Sequence, residues 1–241
     1  MRQDRTRTDE PRAPRQDRSQ KRVDQILAAA REIIAEKGCA NLAMTEIAAR
    51  AGITAGSMYQ YFTNRTAIVG ALAEGYLTVF NDHLVATLEA TRDDGRGVDG
   101  VTGLIGDLLQ SYERLHRTDP VARDVLAGFA SDKTLQTQDA ALTEALLDRI
   151  VQVFLSMPPR LDPTALRMQV RLLLQYADVA VRVALDRPDT ERDATLRLAG
   201  ENLAVLWKAF CATAQQAPPA AATIRAKPGS WHPAGTEPAH Q

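Results

Sequence analysis

Apolar residues recur along this chain at helical spacing, and no stretch shows the strict alternation of a half-buried strand. Val23, Ile26, Leu27, Ala30, Ile33 and Ile34 form one stripe. It predicts a helix that opens at Ser19 or Gln20 and ends at Gly38. A second stripe, Ile68, Leu72, Tyr76, Val79, Phe80, Leu84 and Leu88, predicts a long helix from about residue 65 to about residue 91, capped by Asn64. Residues 93–97 (DDGRG) read as a loop. Further helices follow over 101–116, 120–130, 134–157, 163–186 and 191–215. Pro120 falls in the first turn of its helix, while Pro158-Pro159 and Pro188 close the segments before them. The expected fold is all-α.

Residues 44–62, MTEIAARAGITAGSMYQYF, break this run of long stripes. They predict two short helices joined by a tight turn. Thr45 is placed to cap the first helix, and Ile47, Ala48 and Ala51 give it one narrow apolar face. Gly52 permits the positive φ of a sharp turn. Ile53 fills the angle between the helices, and Thr54 is placed to cap the second. Ala55, Gly56 and Ser57 are small enough for close approach to a groove wall, and Tyr59, Tyr61 and Phe62 end the segment. This is the plan of a helix-turn-helix, whose second helix enters the DNA major groove.

Residues 26–72 resemble the DNA-binding domain of the tetracycline-repressor (TetR/AcrR) family of bacterial transcription regulators. The matching positions are Gly38, Thr45, Ile47-Ala48, Ala51-Gly52-Ile53, Tyr59, Phe62 and Asn64-Arg65. Arg65 stands where the family pattern has Lys, which keeps the charge. Ala55 stands where many members carry a basic or polar side chain. The resemblance implies that Thr54, Ser57, Tyr59 and Tyr61 face DNA from a helix end that also offers Ala55 and Gly56. It implies phosphate contacts from Tyr59 and Arg65, and another at the helix N-terminus near Thr45. Ile47, Ile53 and Phe62 are expected in the core.

The resemblance also implies a C-terminal helical bundle that holds a small-molecule pocket and pairs its last two long helices with those of a second subunit. The apolar surface of residues 163–186 points the same way. Leu166, Val170, Leu173, Leu174, Ala177, Val181 and Leu185 cover more than one stripe, as expected of a helix buried on two sides. The expected organisation is a disordered basic arm (1–18), a three-helix DNA-binding domain (19–66), a ligand-binding and dimerisation domain (67–216) and a disordered tail (217–241). Polar and aromatic residues on otherwise apolar helices are the pocket candidates: Tyr76, Phe80, His83, Tyr112, His116, Phe129, Met168, Arg171, Gln175 and Tyr176.

The formal net charge of −1 hides an asymmetry. Through residue 65 there are 12 basic and 8 acidic residues, a net of +4, and the remainder carries −5. A basic end on a mildly acidic body suits a chain that presents one end to nucleic acid. Cys39 and Cys211 lie far apart with no metal-ligand spacing near either, which fits a reducing cytoplasm. No apolar run reaches the length of a membrane span. Glu113 and His116 have the Glu-x-x-His spacing of di-iron bundles, but no other histidine follows a glutamate at that interval, so no metal and no cofactor are expected. Phosphate-loop, nucleophile-elbow and zinc-protease motifs are absent from the sequence. The expected function is a ligand-released repressor that binds a palindrome-like operator as a homodimer. The alternatives are a helical scaffold whose helix-turn-helix does not bind DNA, and an α-helical enzyme.

Overall fold

The computed structural model describes residues 13–158 and 160–216. Every regular element among them is helical, in the order α1 (Ala13–Lys37), α2 (Met44–Arg50), α3 (Ala55–Met58), α4 (Arg65–Asp93), α5 (Gly97–Thr118), α6 (Pro120–Ser131), α7 (Gln136–Leu155), α8 (Pro163–Leu185) and α9 (Asp189–Gln216), with one 3-10 turn at Cys39–Asn41. α1 opens earlier than its apolar stripe indicates. Residues 13–18, assigned by sequence to the arm, are helical. Pro14 sits in the first turn, where its missing N–H breaks no intrahelical bond, and the polar residues beyond it form a helix that the apolar period cannot mark. The rest of the arm and the tail at 217–241 lie outside the described residues.

Local chemistry sets the other boundaries. Gly38 ends α1 at φ 82° and Gly52 turns the chain at φ 65°, conformations that cost a side chain steric strain. Asn64 caps α4 by accepting from the Ala67 N–H at 2.8 Å. Asp162 caps α8 in the same way from Ala165, at 2.8 Å. Asp94–Arg96 is all that remains of the expected loop between α4 and α5.

The described residues bury two main cores and a smaller third. The first joins Ile26, Ile33, Ile47, Met58, Phe62 and Ile68 to Val121, Val125 and Phe129. So α6, far along the chain, packs into the end that carries α2 and α3, against α1 and α4. The second core gathers Leu84, Val98, Leu147, Phe154, Leu166 and Trp207 from α4, α5, α7, α8 and α9. The third holds Leu109, Val181 and Leu203. α4 enters the first core through Ile68–Ala73 and the second through Leu84–Leu88, and its 29 residues span roughly 44 Å. Among the described residues it is the one helix with buried side chains in both.

Candidate nucleic-acid interface and internal cavity

α2 and α3 carry the interface. Ile47 and Ala48 of α2 and Met58 of α3 are buried, which fixes the two helices on α1 and α4. Met58 was not singled out by sequence, yet it is the one buried residue of α3. Thr54 caps α3 as expected, its hydroxyl accepting from the Ser57 N–H at 3.2 Å. Thr45 does not cap α2. The cap position falls on Ala43, whose side chain makes no cap bond, and Thr45 stands exposed inside the first turn. The reason is register: the helix starts at Met44, two residues earlier than a Thr45 cap requires. Thr54, Ala55 and Gly56 are exposed, Ser57 is half-buried, and Tyr59 is 52% exposed. Tyr61 is half-buried against the first core, and Phe62 is buried in it. Ile53 is only partly buried.

The cations of this end are mostly engaged within the fold. Arg50 grips Glu36 through two bonds, at 2.5 and 2.8 Å, and this pairing holds the Glu36 carboxyl below its usual range. Lys37 pairs with Glu46. Arg31 bonds Asp119 at 3.0 Å and covers the Tyr76 ring at 5.2 Å. Arg65 donates to the Ala40 carbonyl at 2.9 Å, so reaching a phosphate requires that bond to open or to be shared. Arg18, Lys21 and Arg22 near the start of α1 form no ion pair among the described residues, and Arg22 reaches only Gln25.

Between α4, α5, α7, α8 and α9 lies an almost wholly apolar cavity of about 150 Å³. Of the ten pocket candidates, Phe80 and Tyr112 line it. Tyr112 also borders a second space, together with His116, Phe129 and Gln175. The other five lie elsewhere. Tyr76 donates to Asp119 at 3.1 Å, at the junction of α1, α4 and α6. His83 is exposed. Arg171 pairs with Glu144 at 2.5 Å on the surface. Met168 and Tyr176 face outward, Tyr176 accepting from Asn202 at 3.0 Å. The same outward face of α8 carries Leu172, Val179 and Val183, and α9 adds Leu198, Val205 and Leu206.

Comparison with known proteins fits this arrangement. Residues 26–72 match the description "Bacterial regulatory proteins, tetR family". Residues 99–199 match "Tetracyclin repressor-like, C-terminal domain". Together the two spans cover more than half of the chain. The chain belongs to the tetR family. It is similar to an uncharacterized HTH-type transcriptional regulator, YvdT, of Bacillus subtilis, at 35% identity over 30% of this chain and 37% of that protein. It is also similar to the HTH-type transcriptional regulator BetI 2 of Chromohalobacter salexigens, at 30% identity over 46% of this chain and 51% of that one. The matched stretches thus span about half or less of these curated relatives. A crystal structure of a TetR-family regulator from Streptomyces coelicolor shares the fold. It aligns at TM-score 0.56 and 24% identity, over 78% of this chain and 99% of that one.

Within this tetR-family chain, sequence reasoning missed the residues that close the cavity from α7 and α9, Phe154 and Trp207. Their rings lie 4.7 Å apart, and the Trp207 indole N–H is fixed by the Val98 carbonyl at 2.8 Å. Nothing local in the sequence says that Trp207 borders a void. Glu113 and His116 are both buried, not solvated. Glu113 holds Arg117 at 2.8 Å, and the His116 Nδ1 lies 3.0 Å from the Tyr112 carbonyl. No group of His, Cys, Asp or Glu with metal-ligand geometry occurs among the described residues.

Proposed function

We propose that this protein is a DNA-binding transcription regulator, a repressor released by a small molecule. The observation that carries the reading is the exposed Thr54–Tyr59 end of a short helix whose other side is anchored by Met58 and Phe62 in the core. Polar groups held rigidly at a helix end can meet phosphates and base edges with little ordering cost. The two curated relatives are named as HTH-type transcriptional regulators, which supports the same reading.

Dimerisation through α8 and α9 follows from their bare apolar residues. Met168, Leu172, Tyr176, Val179 and Val183 recur every three or four residues, and Leu172 is 64% exposed. A stripe with that spacing is what a helix leaves for a partner helix. A two-fold pair would read a palindrome-like operator, with half-sites one helical turn, about 34–36 Å, or a multiple of it apart. The effector sits in the apolar cavity. A dry apolar space of about 150 Å³ admits a ring the size of benzene. Because α4 serves both cores, a ligand that favours one packing of the second core shifts the spacing of the two DNA-binding ends. Such a regulator works in the cytoplasm, where Cys39 and Cys211 stay reduced.

A nuclease footprint on the DNA flanking the gene tests this. Two protected half-sites related by two-fold symmetry are expected, and they should vanish in Tyr59→Ala. Absence of protection on any flanking or selected duplex would favour the scaffold alternative.

A further inference from the structure

Tyr112 and Leu174 separate the apolar cavity from a second space of about 470 Å³, a cleft lined by α4, α5, α6, α7 and α8. The rings of Phe80, Tyr112 and His116 form a row across the divide, 4.8 and 4.7 Å apart. The Tyr112 hydroxyl donates to Asp178 at 3.3 Å, and Arg182 pairs with the same carboxylate at 2.8 Å. Asp178 is therefore neutralised within α8.

Asp139, an exposed residue, lines the same cleft from the first turn of α7, and its carboxylate takes part in no hydrogen bond or ion pair among the described residues. Partial burial of the carboxyl, and then the charge of Asp178, push it above the usual range against the pull of Arg182. His116 supplies a second open acceptor. Its residue is 7% exposed and lines the cleft. A carbonyl oxygen only accepts, so the Nδ1 beside the Tyr112 carbonyl carries the proton. In the neutral ring Nε2 is then a lone pair, and it meets no partner among the described residues. The remaining charged groups on the cleft are Arg123 of α6 and Asp186 after α8, so three carboxylates face two guanidiniums.

We propose that this cleft takes the protonated amine of an amphiphilic ligand, with Asp139 as counter-ion and the His116 Nε2 as second acceptor, while an apolar group of about benzene size fills the cavity beyond Tyr112. Two acceptors call for an ammonium with at least two N–H donors, which a quaternary ammonium lacks. This names the chemical class of the effector. Its regulatory meaning rests on the repressor reading, but binding itself does not.

Calorimetric titration of the purified full chain, without DNA, tests it. The probes are 3-phenylpropylamine, 3-phenylpropanol, 4-phenylbutyrate and the N-trimethylated amine. The primary amine should bind about tenfold or more tighter than the other three, as charge-assisted hydrogen bonds require. Asp139→Asn should abolish that advantage and leave the alcohol unchanged, with the far-UV circular dichroism intact. An amine that binds no better than the alcohol, or an Asp139→Asn variant with unaltered preference, would overturn the proposal. So would a lack of binding by all four probes. Failure of the repressor reading would show separately, as ligand-free protein that ignores its operator.

Discussion

Thr54 is the residue on which the recognition end turns, because α3 has four residues and one side-chain cap. Thr54→Ala removes the acceptor for the Ser57 N–H and should cost about 1 kcal/mol. For a chain of this size that is a Tm lower by roughly 2–4 °C in scanning calorimetry. An unchanged Tm would mean the cap contributes nothing. Tyr76 offers a second test. Burial is the main cause that pushes its phenol up to about 12, with the nearby Asp119 adding to it. The folded value is raised above the unfolded value of 10, so the stability Tyr76 contributes is intact below pH 10 and is lost as pH rises toward 12. The Tm of the wild type should therefore fall more steeply over that window than that of Tyr76→Phe. Parallel curves would contradict the assignment. Single residues with a local role were legible in the sequence: Gly52, Thr54 and Asn64 act on atoms within three positions of themselves. Thr45 was misplaced because a shift of two residues moves the cap to Ala43.

The pocket failed to read from sequence for a reason that belongs to elements. A polar or aromatic residue on an apolar helix marks a departure from the core face, but not which neighbour it meets. α8 divides its surface three ways. Val170, Leu173, Leu174 and Ala177 turn to the cavity, Gln175, Asp178 and Arg182 to the cleft, and Met168, Leu172, Val179 and Val183 outward. The sequence showed that one stripe was too few for this helix. It did not show that Tyr176 and Met168 lie on the outer one. That outer face makes its own prediction. Leu172→Glu with Val179→Glu places two charges where a partner helix would seal them from water. The pair should convert a dimer to a folded monomer in sedimentation equilibrium, with helicity retained. A dimer that survives both changes would place the interface elsewhere. α6 shows the same limit. Its Val121, Val125 and Phe129 give an ordinary apolar stripe, and only the fold reveals that they complete the core of the DNA-binding end.

At the scale of the whole molecule, the charge asymmetry remains but its bearers change. Arg31, Lys37, Arg50 and Arg65 bond to groups within the fold, so the proposed regulator is expected to bind phosphate through the start of α1, with Arg18, Lys21 and Arg22, and through polar groups around Tyr59. α4 spans from that end to the cavity, which gives a ligand a rigid path to the recognition helix. The central claim, operator binding by the ligand-free protein, is tested most directly by fluorescence anisotropy with the DNA upstream of its own gene, beside a scrambled duplex, across a salt series. Tight binding to the upstream DNA alone is expected, with log K falling by about 0.9 per neutralised phosphate for each tenfold rise in salt. Arg18→Ala with Lys21→Ala should flatten that slope, and Tyr59→Ala should erase the preference for the upstream duplex. Equal binding to both duplexes at every salt concentration, or none to either, would contradict the account.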